Sequence, residues 1–148
     1  MTDLENSNRV LLEGIVRLLR DNVDGWNDNE EFDVPNVWAK NVPDSANKHF
    51  PRGVVDIIAG NDFELDVDLN ISLREVTLKL VVFSDSSGEV ETLIDNSETA
   101  MKDNWEDYIG DWSMREVDGF TELSETGEIE GDLIYSRSID IIFEVIKN

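Results

Sequence analysis

The chain has 148 residues, no cysteine, and 34 Asp and Glu against 12 Lys and Arg, which gives a formal net charge of −22. The lack of cysteine excludes structural disulfides and thiolate metal sites, and the lack of a basic patch excludes charge-driven binding to duplex nucleic acid. Hydrophobic residues make up 40%, and a chain of this length buries roughly 68–70% of its unfolded surface, so one domain with a hydrophobic core is expected.

The acidic residues are spread along the whole chain, from Asp3 to Glu144, and do not form the single block that is typical of an acidic tail. In molar salt the Debye length falls to about 3 Å, which screens the repulsion between these carboxylates. The composition therefore indicates a protein of a halophile. Two other interpretations stay open at this point: a DNA mimic that presents carboxylates to a basic partner, and a calcium-binding protein.

The first nine residues, MTDLENSNR, contain no basic segment followed by an apolar stretch, so no secretory signal is predicted. No apolar run approaches the roughly 20 residues that span a bilayer, so no membrane partner is expected. These patterns indicate a protein that stays in the cytoplasm or is carried from there into a particle.

Apolar residues recur at helical spacing near the start of the chain and predict an amphipathic helix at about 7–22. Ser7 or Asn8 can cap its start, and Asp24-Gly25 ends the run. Three of the seven arginines lie on or beside its polar side: Arg9, Arg17 and Arg20. In a chain with so few cations, these residues are expected to meet the acids of a neighbouring subunit.

Residues at about 25–52 lack a clear period, contain all three prolines, and are predicted to form a long loop. Its aromatic and basic residues include Trp26, Trp38, Lys48, His49, Phe50 and Arg52. One interpretation is that the aromatic side chains pack back on the core. The other is that the loop grips a neighbouring subunit, because a structureless segment of this length is uncommon in a small domain and is often functional.

The segment 53–59 predicts a strand, which the turn-forming residues 60–62 end. Apolar and acidic residues then alternate over 63–71, which predicts a second strand with one apolar face and one acidic face. The acidic face carries Glu64, Asp66 and Asp68. A calcium loop beginning at the second of these acids fails, because its sixth position holds Ile71 and its twelfth holds Thr77. A solvated sheet face is preferred over loose cation binding.

The rest of the chain predicts further elements. In order, they are a strand at 75–84, a helix at 89–109 that Gly110 stops, a short strand at 114–122, a polar loop or hairpin tip at 123–131, and a strong strand at 133–145. The elements together indicate an α+β fold, with a largely antiparallel sheet of four to five strands flanked by two main helices, in a single domain at 1–148.

The sequence contains no catalytic signature. His49 is the only histidine, and the chain has no cysteine. A catalytic nucleophile–histidine pair would therefore have to include His49 and could not include a cysteine. Phosphate-binding and nucleophile-elbow motifs are absent from the sequence, and carboxylates are too abundant for their spacing to identify a glycosidase pair. The sequence therefore predicts no enzyme, no catalytic residue, no cofactor and no metal site.

Four short segments follow the first helix, and the first of them lies at the end of the long loop. In order, they are 50–53 (FPRG), 81–84 (VVFS), 89–95 (EVETLID) and 135–143 (YSRSIDIIF). Their order, length and pattern, over about 11–145, resemble the tail-terminator (tail-completion) proteins of long-tailed viruses, in a halophilic archaeal version.

The resemblance implies a non-enzymatic structural protein of the virion, assembled in the host cytoplasm. It would form a homohexameric ring that ends the tail tube at its head-proximal end and joins the tail to the neck. The implied partners are further copies of the chain, the tail tube protein and the head-completion protein, while DNA passes through the lumen without specific binding. Trp26, Trp38 and Phe50 are expected to clasp neighbouring subunits. The acidic strand face at Glu64, Asp66 and Asp68 is expected to line the lumen.

Three other functions stay open. The first is that of a head-completion (stopper) connector protein, a class that is similar in size and general sequence character. An acidic DNA mimic, from another class, would inhibit a basic DNA-binding protein. An enzyme with dispersed acids is the third, and no motif favours it. A ring protein is expected to form hexamers in molar salt, whereas a DNA mimic is expected to stay a small oligomer and to compete with DNA.

Overall fold

Helix α1 (Asn8–Asn22) reproduces the predicted amphipathic run to within one residue. It belongs to a computed structural model of the protein, which describes residues 8–27, 37–39, 51–68, 70–118, 124–129 and 132–147. The leucines and isoleucine on one side of α1 are fully or almost fully buried, while Arg9, Glu13 and Arg17 on the other side are exposed. The helix is thus held by burial of its apolar stripe against the rest of the chain.

The remaining elements form a sheet with helices. In chain order, they are α2 (Asp24–Asn27), β1 (Val37–Ala39), β2 (Arg52–Asp66), β3 (Ile71–Ser84), α3 (Ser87–Asn104), a 3₁₀ turn (Trp105–Asp107), β4 (Ser113–Asp118), β5 (Ser124–Ile129) and β6 (Asp132–Lys147). The strand order is β1-β2-β3-β6-β4, with β5 also paired to β6. Only the β1–β2 pair is parallel among these pairings. The predicted α+β fold with a largely antiparallel sheet is confirmed.

Strands β4 and β5 share one side of β6. Strand β4 pairs with Asp140–Glu144 of β6, and β5 pairs with Asp132–Ser136. Because β3 occupies the other side of β6 over almost its full length, β4 and β5 follow one another along the same edge. The six strands therefore fill five positions across the sheet.

The sheet has two unlike faces. Along β3, Val76, Leu78, Leu80 and Val82 are buried, and the alternate residues are only half-buried. The buried face, called here the covered face, packs with α1 and α3 in one hydrophobic core. On β6, the residues of the covered face are Ile139, Ile141, Phe143 and Val145. The opposite face, called here the open face, carries no helix among the described residues.

Strand β2 differs from its prediction, because the predicted break at 60–62 does not occur. Each of these residues has a partner on β3: Gly60 faces Val76, Asn61 faces Glu75, and Asp62 faces Arg74. Turn-forming residues are accommodated because β2 contains a bulge near Ile58 and another near Leu65, which relax the strand geometry. The chain instead reverses at 67–70, where Asn70 adopts the left-handed conformation with φ 55°.

Helix α3 begins close to its predicted start and ends earlier. The Ser86 hydroxyl caps it by accepting the Glu89 backbone N–H at 3.3 Å, and the Ser84 hydroxyl donates to the Glu89 carboxylate at 2.6 Å. The regular helix ends at Asn104, and the 3₁₀ turn carries the chain to Gly110, whose φ of 65° reverses it.

Two predicted loops contain regular structure. Within 25–52, the structure has α2 and the short strand β1, and residues 28–36 and 40–50 lie outside the described part of the chain. The segment 123–131, predicted to be a loop or hairpin tip, supplies β5, which pairs antiparallel with the start of β6 up to Ile129 and Asp132. The short strands β1 and β5 are each defined by pairing with a long neighbouring strand. The local sequence of a short strand does not reveal such pairing.

Candidate assembly surface

Arg20 joins helix α1 to strand β1. Its Nη2 and Nε donate to the Val37 carbonyl oxygen at 2.6 and 3.1 Å, and its guanidinium lies 4.8 Å from the centre of the Trp38 ring. Burial lowers the pKa of the Arg20 guanidinium, because the charged form loses contact with water. Arg20 and Trp38, both predicted to contact a neighbouring subunit, thus contact each other within one subunit.

Arg17 packs on the segment that follows α3. Its guanidinium lies 5.6 Å from the centre of the Tyr108 ring, and Nη2 donates to the Tyr108 carbonyl at 3.5 Å. The Tyr108 hydroxyl in turn donates to Asp21 at 3.0 Å. Gly14 lies against the same segment, where a Cβ would come within 2.5 Å of the Tyr108 carbonyl oxygen. The polar side of α1 is therefore partly used inside the subunit.

Arg9 differs from the other two arginines of α1. Its side chain is 79% exposed, and its described ion pair is with Glu13, one turn further along, at 3.1 Å. Such exposed pairs contribute little to stability, so Arg9 is not tied to the fold. It lies on the rim of an open groove of about 530 Å³ between α1 and the outer edge of β2, where Ala39, Asp56 and Ile57 also contribute.

Trp26 is a core residue of the subunit. It is fully buried, and its indole Nε1 donates to the Ser97 hydroxyl of α3 at 2.8 Å. The ring lies against Gly53, where a Cβ would come within 3.0 Å of Trp26 Cη2. Of the two interpretations of the aromatic loop, packing back on the core therefore holds for Trp26.

Arg52 begins β2 on the open face of the sheet, directly opposite Phe83 of β3. Its guanidinium lies 5.3 Å from the centre of the Phe83 ring, and burial lowers its pKa. Arg52 is therefore also engaged within the subunit. The remaining predicted contact residues, Lys48, His49 and Phe50, lie outside the described part of the chain.

The predicted acidic face of β2 does not form. Glu64 faces Ser72 of β3, but after the bulge Asp66 faces Ile71. Since neighbouring residues of β3 point to opposite faces, Glu64 and Asp66 do too. Asp68 lies in the turn, where its backbone N–H bonds to the Asp66 carboxylate at 3.0 Å. The prediction of one shared acidic face was wrong, because the bulge breaks the period of two.

The large apolar side chains of the second half of β2 and of the turn that follows are exposed. Ile58, Phe63, Leu65 and Val67 are between 47 and 68% exposed, and they make up four of the six exposed large hydrophobic residues described. All eight residues from Ile58 to Leu65 are exposed. Such a concentration of apolar surface marks an interaction site more often than chance scatter.

The register places three apolar side chains in one row across the sheet. Phe63 of β2 faces Leu73 of β3, and Leu73 faces Ile146 of β6. Directly opposed residues share a face, so the three side chains lie on the open face in an apolar row. Leu73, in the middle, is half-buried, whereas the two ends are exposed, Phe63 at 47% and Ile146 at 59%.

Among the described residues, no group of three or more His, Asp or Glu side chains is close enough to hold a metal ion. None of the described helices is long and apolar enough to span a membrane. The described surface provides a strip of exposed apolar residues that is flanked by acids. This strip lies at one end of the sheet, whose open face carries no described helix.

A scan against protein-family models found no match, and a search of curated proteins found no significant relative.

Proposed function

We propose that the protein is a structural virion protein that forms a ring at the head-proximal end of a viral tail tube. The ring ends polymerisation of the tube and joins the tail to the neck. Its partners are further copies of this chain, the tail tube protein and the head-completion protein, and it performs no enzymatic reaction and needs no cofactor. The source is a virus of a halophilic archaeon, which accounts for the net charge of −22.

The observation that carries this proposal is the uncovered end of the sheet. Folded monomers rarely expose several large apolar side chains together, and here four lie within ten residues of one strand and its turn. A self-assembling or partner-binding protein needs such a surface. The segments that resemble the tail-terminator family also fall on regular elements: 81–84 ends β3, 89–95 lies in α3, and 135–143 lies in β6.

The charge supports passage of DNA without binding. A ring of chains that each carry −22 presents a negative potential to a phosphate backbone, and no counterion release rewards contact. The net charge of the chain is sufficient for this effect. It does not require an acidic stripe on β2, where Glu64 and Asp66 point to opposite faces.

The first experiment measures the mass of the purified protein by size-exclusion chromatography with light scattering, from about 0.1 to 3 M KCl. In molar salt we expect a species near 101 kDa, which is six copies of 16.8 kDa. The species should dissociate as salt is lowered, because the Debye length then grows from about 3 to about 10 Å. A monomer at every salt concentration contradicts the proposal.

The second experiment separates the alternatives. The protein is added to tail tube protein that is polymerising in molar salt, and tube lengths are measured by electron microscopy. A tail terminator stops growth and is seen at one end of each tube. A ring that leaves tube length unchanged but binds the portal-proximal neck indicates the head-completion alternative. A small oligomer that displaces DNA from a basic protein at moderate salt indicates a DNA mimic.

A further inference from the structure

We infer that copies of this chain associate head to tail through the two outer edges of the sheet, so that β2 of one copy lies along β4 of the next and Phe63 covers Ile146. This inference rests on the proposed function, which requires copies to form a ring, and it names the surfaces that join them. A head-to-tail contact uses two different surfaces and can close into a ring, whereas a symmetric contact stops at a dimer.

Within the described part of the chain, the two outer edges of the sheet lack a further strand at matching levels. Strand β1 pairs only with 53–55 of β2, and no other described strand continues along that edge. Strand β4 ends the sheet on the other side. One row of paired residues crosses the sheet from β2 through β3 and β6 to β4. In that order, the row consists of Asn61, Glu75, Glu144 and Ser113. A neighbouring copy at the same level therefore brings its Asn61 opposite Ser113.

The strand directions also agree. Strands β2 and β6 are each antiparallel to β3, so they run parallel to one another, and β4 runs antiparallel to β6. Strand β4 is therefore antiparallel to β2. When a second copy is placed in the same orientation beside the first, its β2 runs antiparallel to β4 and continues the sheet with the pairing that most of it already uses.

The apolar row is incomplete within a subunit and is completed by a second copy. Strand β4 starts at Ser113, so it stops short of the level of Ile146. This leaves a groove of about 380 Å³ whose apolar lining is Leu73, Val145 and Ile146. A neighbour's Phe63 arrives at this level on the same face of the sheet and covers the groove. Both exposed ends of the row are then buried against each other.

The flank of the β2 edge offers one exposed cation to the acids beside the β4 edge. On the β2 side, Arg9 projects from the start of α1 and is 79% exposed. On the β4 side, the segment after α3 carries three exposed acids: Glu106, Asp107 and Asp111. The helix layer places α1 beside β1 and β2, and the 3₁₀ turn beside β4. Arg9 of one copy therefore approaches acids of the next, which favours a second copy as the occupant of these edges.

Cysteine pairing tests the contact directly, because the natural chain has no cysteine. In N61C/S113C, the two thiols of one subunit are three strand spacings apart, about 14 Å, which is too far for a disulfide. On oxidation with diamide in molar salt, we expect a ladder of covalent oligomers that ends at the size of the ring. An equal mixture of the single variants N61C and S113C should give covalent dimers and nothing larger.

Apolar truncation gives a second measurement. We expect F63A and I146A each to raise the dissociation constant of the assembly by about tenfold or more, since each removes one side of a buried apolar contact. The matched control is L133A, because Leu133 is an exposed apolar residue at the other end of β6. L133A should assemble like the natural protein, and circular dichroism should show all three variants folded.

Charge reversal tests the flank. R9E should raise the dissociation constant of the assembly by roughly two- to fivefold, measured at the lowest salt concentration that still supports assembly. The effect is small because the ion pair between Arg9 and the acids of the next copy is exposed. The double variant R9E/D111R should recover the lost affinity, which a purely structural role for either residue does not predict.

The outcomes separate this inference from the proposed function. A ring that forms in the natural protein but gives no covalent ladder from N61C/S113C, and is unaffected by F63A and I146A, overturns the inference and leaves the ring intact. Covalent dimers from N61C alone indicate a symmetric contact and overturn it too. A natural protein that stays monomeric at all salt concentrations overturns both.

Discussion

The two halves of strand β2 both carry apolar side chains but have opposite surroundings. Over 52–57, called here the proximal half, side chains are buried or half-buried, and over 58–65, the distal half, every residue is exposed. Val55 packs in the core, while Phe63, which is larger and more apolar, lies half in water. The difference teaches that the period of two fixes which residues share a face, but a covering element decides whether that face is buried.

The geometry of the elements explains the difference. Strand β2 has 15 residues and is roughly 50 Å long, whereas α1 with 15 and α3 with 18 residues are roughly 22 and 27 Å long. Two helices of that length cannot cover every strand along its full length. On β3 and β6 the covered face is still buried at the level of Gly60 and Asp62, through Val76, Phe143 and Val145, so the part left uncovered there is the β2 edge. Phe63 lies on the open face, which no described helix covers.

The largest expected contrast compares two phenylalanines. Phe143 is fully buried on the covered face, so F143A should lower the free energy of unfolding by about 3–5 kcal/mol. F63A should lower it by about 0.2–1 kcal/mol, the range of a cross-strand pair. Urea titration at low protein concentration measures both. Equal losses for the two variants would mean that Phe63 on the open face is as well packed as Phe143 on the covered face.

The next contrast compares two arginines of α1. R20M should lower the free energy of unfolding by about 1.5–3 kcal/mol, because it removes two charge-assisted hydrogen bonds to the Val37 carbonyl. R9M should lower it by no more than about 0.5 kcal/mol, since it removes an exposed i,i+4 pair with Glu13. Urea titration again gives both values. A larger loss for R9M than for R20M would contradict the internal role of Arg20.

The third contrast compares two helical glycines. G14A forces a methyl group within 2.5 Å of the Tyr108 carbonyl oxygen, so it should cost about 1–3 kcal/mol by pushing α1 away from the segment after α3. Nothing lies within 4 Å of the corresponding position at Gly88, so G88A should leave stability unchanged or raise it by up to about 1 kcal/mol. Thermal melting in molar salt ranks them. Unfolding at the same temperature would show that α1 can shift freely.

The smallest expected effect lies in the distal half. Arg74 and Asp62 form an ion pair across β3 and β2 at 2.9 Å, and the Asp62 side chain is more than half exposed. D62N should therefore cost less than about 1 kcal/mol, and the cost should shrink further from 0.2 to 3 M KCl. Urea titrations at the two salt concentrations measure this. A cost that stays the same at both salt concentrations would show that the pair is shielded from solvent.

Sequence reasoning recovered the elements with strong periodicity and missed those defined by a partner. The heptad-like spacing in α1 and the alternating run in β6 were predicted to within a few residues, because each has enough apolar positions to define its own period. Strands β1 and β5 are short and gain their identity from pairing with β2 and β6. The bulge at Leu65 was also invisible, and it reversed the predicted face of Asp66.

The candidate site was predicted less well than the fold. Trp26, Arg17, Arg20 and Arg52 stood out in the sequence because they are rare residue types in an acidic chain, yet each contacts its own subunit. Of the residues that define the proposed contact, Phe63 was predicted only as part of an apolar strand face, and Ile146 lies just beyond the strand predicted at 133–145. Both lie on the open face, and the register across three strands that aligns them depends on the whole arrangement.

The sequence by itself determined the charge, the absence of cysteine, the order of the main elements and the α+β class, because composition and local period are properties of the chain alone. The tertiary structure decided which apolar residues are buried, which arginines are engaged internally and which edges stay accessible. The physical reason is that burial and pairing depend on what lies across a strand or above a sheet, and those neighbours are distant in sequence.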